Sequence, residues 1–498
     1  MYNEIDYSHV AVSNSIASYS QEFPYHPAEL YPEYPLQSRD YISHSPNSAY
    51  QAVRNALFYL GLDYENFGTP KWNPFRKIIR TGATVFVKPN WVSHQLVNDL
   101  HPEEILITHP SVIRAVIDYV LIACGLTGRI ILGDAPLQGA DFEKIISMSH
   151  IDSILELYQR EFNFSIELID CRKIVTDITK DGRLIQHDSD HADPLGYSEI
   201  DLAKSSFFTE IDSLAKSFRV SDYNSDVLKN HHHPGVHQYL IANSILQSDV
   251  FINIPKLKSH KQSGLTCSLK NLVGINGDKA YLPHYRTGSP NEQGDAYPLT
   301  SSLKMIRTEV RARLIFSKED WLWKTVRFIG RTALVFRSRF LSKRMVGGEP
   351  EEKIYSGGWY GNDTTWRMIL DLNLLLLGQN NSYNVMNSSR QYISIVDAII
   401  AGDEHGPLEP HRRLVGTIIA GFSPVATDLV AAHYMGFDWQ KIPLLRHAVD
   451  KLGVSFPADD NKKQITVESG KGPMLLDDID INWAFRPALG WVDHIERK

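Results

Sequence analysis

The sequence predicts an α/β fold, a mostly parallel sheet flanked by helices with inserted irregular and helical segments. Short apolar runs at 83–87, 129–133, 165–169 and 250–254 are separated by stretches of helical period. That alternation builds strand–helix–strand units with right-handed crossovers. Three of the runs are followed by polar residues: Lys88 and Asn90, then Asp134, then Lys256, Lys258 and His260. Parallel strands bring their C-terminal ends to one edge, where ligands bind.

In chain order, residues 1–47 are rich in Tyr, Ser and Pro without a sustained period and are expected to form an irregular N-terminal arm. The first half of the α/β core is expected over 48–300, opening with an amphipathic helix at 48–62. After strand 83–87, the segment THPSVIRAVIDYVLIACG spaces Val112, Ala115, Val116, Tyr119, Val120 and Ala123 at helical intervals, with Gly125 as a stop. A further helix is expected at 142–161. Residues 172–235 are polar and turn-rich and read as an insertion, and a helix is expected over 237–246. The strand 250–254 is ended by Pro255, which has no N–H to give a ladder. A cationic loop carrying Lys256, Lys258, His260 and Lys261 is expected next, then a helix start bearing Lys270 and Asn271.

The composition shifts at 301–350, a basic, aromatic-rich helical insertion. Between 304 and 344 twelve Lys or Arg stand against three acids, a balance of +9 in a chain whose net charge is −7. Such a segment suits an anionic membrane surface, a protein partner or a solvated cationic helix. The second half of the core and a C-terminal tail fill 351–498, with a helix carrying Asp363, Arg367 and Asp371, a strand ending at Asp397, a polar loop GDEHGPLEPHRR, and a helix capped by Ser423 with Pro424 in its first turn.

Several classes are disfavoured. No global basic field or known motif argues for nucleic acid. The three cysteines are far apart, so neither an iron–sulfur cluster nor a disulfide framework is expected. With no apolar n/h-type leader and no spanning run, a cytoplasmic protein is expected, peripheral at a membrane if 304–344 docks there. No GxSxG, Walker A, GxGxxG or HExxH occurs.

The candidate site gathers on the strand-end edge. Lys88, Asn90, Lys256, Lys258 and Asn271 are expected to bind substrate, with Arg367 as a further contact, because clustered cations suit a carboxylate or phosphate. Each strand-end residue taken alone could simply meet solvent. Lys270 follows an apolar helix start, where a charge needs a partner or a ligand. His260 is a base or a metal ligand, and neighbouring cations favour its neutral form. His284, in YLPHYR, falls close after it, and Asp397 is expected to join as a ligand or orienting group. Asp363 and Asp371 flank Arg367 at intervals of four, either as a surface ladder or as a buried row with a purpose. The HHHP run at 231–234 is a poor metal site, since adjacent histidines in an irregular segment cannot all aim at one ion.

The motifs KPNWV, THPSVIRAVIDYV, GDAP, INIPKLKSHKQSGLTCSLKNLVGI, LPHYRTGSP, GNDTTWRMILDLN, IVDAI and SPVATDLVA resemble the large bacterial and archaeal family known as domain of unknown function 362, over roughly residues 80–450. Many relatives carry ferredoxin-type cysteine clusters, and this chain has none. More distantly, H-x3-G-x-T-x3-K at His260–Lys270 looks like a stretch of the nickel-pincer lactate racemase family. That resemblance implies a metal ligand at His260 and an acid/base at His109, while the lysine that tethers the pincer cofactor has no clear match here.

The expectation is therefore a metal-assisted enzyme acting on a small anionic substrate by isomerase- or epimerase-like or redox chemistry. His260, His109, Lys270 and Asp134 would be catalytic, and His260, His284 and Asp397 would hold a divalent metal. The alternatives are a non-catalytic scaffold docking through 304–344, and a transferase or hydrolase of a phosphate-bearing substrate.

Overall fold

Eleven strands assemble into one mixed sheet. The computed structural model describes residues 5–95, 101–179, 184–220, 223–314, 345–378, 390–458 and 464–497. In chain order the strands are β1 (His9–Asn14), β2 (Thr84–Pro89), β3 (Arg129–Asp134), β4 (Glu167–Asp170), β5 (Val250–Ile254), β6 (Lys256–His260), β7 (Gly264–Thr266), β8 (Gln391–His405), β9 (Glu409–Gly421), β10 (Thr466–Glu468) and β11 (Pro473–Leu475). In space they run β11-β10-β1-β9-β8-β5-β2-β3-β4, with β6 beside β8 and hairpinned to β7. The ladders β8–β5, β5–β2, β2–β3 and β3–β4 are parallel, while β8–β9 and β9–β1 are antiparallel.

The parallel strands are apolar on both faces, as sheets covered on both sides require. Val85, Val87, Ile130, Leu132, Val250 and Ile252 pack with helices α1 (Ser48–Tyr59) and α2 (Pro110–Cys124). Phe86, Ile131 and Phe251 point the other way. There the short helix α3 (Ser268–Asn271) and helices α4 (Thr365–Leu377) and α5 (Pro424–Met435) cover the sheet. Phe86, Phe251 and Tyr392 stack across three neighbouring strands, at 5.8 and 6.3 Å between ring centroids. Each such buried ring stabilises the fold by about 1.5–3 kcal/mol.

Four segments differ from the sequence expectation. The arm contributes β1, which pairs with β9 and β10 inside the sheet. The expected helix at 237–246 is a strand, Val236–Ala242, paired with Tyr197–Asp201 and followed by one helical turn. Its aromatic and β-branched residues meet a partner strand, and tertiary pairing overrides helical spacing. The expected cationic loop is strand β6, in which Lys256 and Lys258 alternate with Leu257 and Ser259. Pro255 interrupts one long strand rather than ending it, because its carbonyl still accepts from the Asp397 N–H at 2.8 Å. Finally, β8 does not stop at Asp397 but runs on to His405, and the supposed polar loop is the tip of the long β8–β9 hairpin.

The start of the basic insertion is a helix, Ser302–Leu314, anchored by Lys304, whose Nζ lies 2.8 Å from Glu351 Oε1. The expected docking segment beyond it, residues 315–344, lies outside the described residues. Among the described residues no helix is long and apolar enough to cross a membrane. Cys124, Cys171 and Cys267 are buried and unpaired.

Candidate functional site

The C-terminal ends of β2 and β3, the β6–β7 hairpin and α3 surround a cleft of about 760 Å³. Its lining includes Asn90, Asp134, Lys258, His260, Lys270, Asn271 and His284, all foreseen from sequence, and also Thr266 and Lys279. Beneath it lies an ion pair. Lys88 Nζ stands 2.7 Å from Asp134 Oδ1, with side-chain exposures of 0% and 3%. Asp134 also accepts from the backbone N–H groups of Trp91 (2.6 Å) and Ala135 (2.9 Å), so its oxygens are already engaged. Lys88 does not itself line the cleft.

Gly274 closes over this pair. A Cβ there would collide with Asp134 Oδ1 and come within 2.6 Å of Lys88 Nζ. Gly274→Ala should therefore destabilise the protein by about 1–3 kcal/mol, the usual cost of forcing volume into a packed site, read as a lowered denaturation midpoint.

Lys270 is a cation of the cleft wall. It makes no hydrogen bond or ion pair with the described residues, and burial, then the charge of Lys88, push its pKa down to about 8. Its helix is docked by Asp428 of α5, which accepts from the N–H groups of Ser268 (2.7 Å) and Leu269 (3.0 Å). Other lysines are spent on carbonyls. Lys258 Nζ donates to Leu106 O at 2.7 Å, and Lys279 Nζ to Val273 O at 2.8 Å. Burial brings Lys279 down to about 7. Asn271 is oriented by Asn253, whose Oδ1 accepts from its Nδ2 at 2.7 Å.

The two histidines present complementary faces. His260 Nδ1 accepts from the backbone N–H groups of Gln262 (3.1 Å) and Ser263 (3.2 Å), which assigns the ring proton to Nε2. His260 is thus a donor at Nε2. His284 Nδ1 lies 2.7 Å from Leu282 O, which can only accept, so the proton is on Nδ1 and Nε2 keeps a lone pair. Its backbone is clamped by the first residue of α4 and the turn before it, because His284 O accepts from Asn362 Nδ2 and Thr365 Oγ1. Burial lowers both histidines, His284 to about 4 and His260 well below its ordinary range. In His260 the Lys270 charge adds to the effect.

The other expected site residues lie elsewhere. His109, Lys256 and Asp397 form a separate buried knot around Tyr19. Lys256 Nζ is 2.9 Å from Asp397 Oδ2 and 2.6 Å from Tyr19 Oη, and Tyr19 donates to Asp397 Oδ1 at 2.5 Å. His109 stacks on Tyr19 at 3.8 Å, gives its N–H to Asp397, and caps α2 by accepting from Ser111 N. Lys256 and Asp397 are fully buried. Asp397 therefore does not meet His260 and His284 as a third ligand. It sits mid-strand in β8, paired with Lys256 of β6, and does not line the cleft.

Arg367, Asp363 and Asp371 form a packing row. Arg367 pairs with Glu210 and Asp363, and Asp371 accepts from Phe207 N and Tyr239 Oη, tying α4 to the 206–208 segment. His232 and His237 of the HHHP region are buried against Phe208, and His232 Nε2 bonds Tyr281 O.

Sequence reasoning missed Lys279, although its GDKAY context follows the key stretch directly. It also missed Glu404, His405 and His411, because the Gly-Pro between them made a hairpin tip look like a loop.

Fold and site define an α/β protein with a cationic strand-end cleft holding one donor and one acceptor histidine. The sequence matches the profile of the family described as Domain of unknown function (DUF362) over residues 85–166 and 171–433, more than half of the chain, and the protein belongs to that family. A search among curated proteins finds no match.

Proposed function

We propose that the protein is an enzyme that binds a small carboxylate- or phosphate-bearing molecule in this cleft and catalyses proton transfer on it, as an isomerase or epimerase does. The observation that carries the reading is Lys270, a largely buried cation without a partner among the described residues, lining the same cleft as His284, whose Nε2 keeps a lone pair, and His260, whose Nε2 carries the proton. Lys270 and the His260 N–H would hold the anion. His284 Nε2 would take a proton from the carbon next to the acid group, and the charge developing on the acid oxygens would be stabilised by Lys270. The remote likeness to lactate racemases is in keeping with such chemistry.

The test is hydrogen exchange. Wild-type protein should exchange the α-hydrogen of a member of a panel of 2-hydroxy and 2-amino carboxylates in D2O, followed by proton NMR, and His284→Gln should abolish it with the circular dichroism unchanged. Exchange persisting in His284→Gln would remove His284 from the mechanism. The rate should follow a bell-shaped pH profile. It should rise as His284 becomes neutral above about 4 and fall as Lys270 loses its proton near about 8.

A further inference from the structure

We propose that Glu404, His405 and His411, at the tip of the β8–β9 hairpin, bind a divalent transition-metal ion of the zinc class on the wall of the cleft. One ligand atom from each lies within 4.8 Å of the others, the only such group of His, Cys, Asp and Glu among the described residues. Glu404 Oε2 is 2.7 Å from His411 Nδ1 and 3.8 Å from His405 Nε2.

The backbone is bent to make this set. Asp403 pairs with His411 and His405 with Glu409 across the ladder, so His405 and His411 belong to one face of the hairpin, and simple alternation would send Glu404 to the other. Glu404 instead has φ +59°, a left-handed conformation that a non-glycine residue adopts at a cost and that is concentrated at functional sites. The turn carries the carboxylate over to the histidines. Its N–H is held there by Arg486 O at 3.0 Å.

The outer contacts suit a ligand as well. The second carboxylate oxygen, Oε1, pairs with Arg486, and the same guanidinium pairs with the buried Asp403. Asp403 shares the arginine, and Arg486 orients the Glu404 carboxylate from behind as supporting partners of metal ligands do, with Oε2 turned to the histidines. Two imidazoles and one carboxylate select zinc-class ions and leave coordination positions for water, whereas Mg²⁺ and Ca²⁺ require more oxygens. His405 and Glu409 line the cleft, so an ion here would add positive charge at its mouth. The competing account is a Glu404 carboxylate simply in polar contact with the two histidines.

Cobalt titration of the tag-free, full-length protein decides between them. A single Co²⁺ should bind with the intense visible absorption of a low-coordinate nitrogen–oxygen site and be displaced by Zn²⁺. His405→Ala and His411→Ala, both at exposed positions and expected to fold normally, should each weaken it by about 10–100-fold. Absence of that absorption, or unchanged affinity in His411→Ala, would overturn the site. This readout does not involve Lys270 or His284, so its outcome is independent of the proton-transfer reading.

Discussion

Asp397→Ala should strongly destabilise the protein, lowering unfolding free energy by about 3–5 kcal/mol in chemical denaturation. The magnitude follows from what the substitution leaves behind. Lys256 and Asp397 are both fully excluded from water, and the carboxylate is the partner of the Lys256 ammonium, the Tyr19 hydroxyl and the His109 N–H together. Removing it strands a buried cation and two donors, and an unpaired buried charge costs far more than the pair contributes. Burial already lowers the Lys256 pKa with Asp397 in place, so in the variant the lysine should lose its proton and the damage should be worst at acid pH. The double replacement Lys256→Met with Asp397→Leu should recover a large part of the loss. A double variant as unstable as Asp397→Ala alone would show that the network acts through something other than its charges.

Lys270→Met should do the opposite to stability and abolish function. Affinity for a small anion should fall by about ten- to a hundred-fold, the value of a charge-assisted hydrogen bond. The folded protein should at the same time become more stable by about 1–3 kcal/mol, because burial holds the Lys270 pKa at about 8 against the ordinary lysine value of 10.5. The sign follows from proton counting. Between those two values the unfolded chain binds the proton and the folded one does not, so stability rises with pH across that window, and the full cost of burying the cation is present below it. A buried cation that weakens the fold and has no partner among the described residues fits the usual trade between stability and activity. Thermal unfolding with and without ligand, in wild type and Lys270→Met, reads both effects.

The edge of the site was legible in the sequence because strand and helix periods are. Once β2, β3 and β5 are recognised as parallel, Asn90, Asp134 and the residues after Pro255 must share an edge, and the structure places Lys88 against Asp134 accordingly. Depth was not legible. His109, Lys256 and Asp397 reach that end of the sheet too, but pattern alone does not tell an exposed strand end from one covered by the arm, and Tyr19 of the arm seals them off. The arm could not be foreseen as a lid on those residues because its strand, HVAVSN, is short and its partners, β9 and β10, lie more than 400 residues away. Gly and Pro misled in two places: Pro255 suggested the end of a strand that continues as β6, and Gly406-Pro407 suggested a loop where a hairpin turns. At Pro255 the ladder to a distant strand, β8, decided the conformation, and at the hairpin the ladder between its own two long strands did.

Calorimetric titration of malonate and of inorganic phosphate into the wild-type protein and Lys270→Met at neutral pH tests the central claim most directly. At least one of the two should bind the wild type saturably at a single site, about ten-fold or more weakly in the variant. Equal affinity in the two proteins, or no binding of either anion to the wild type, would contradict it.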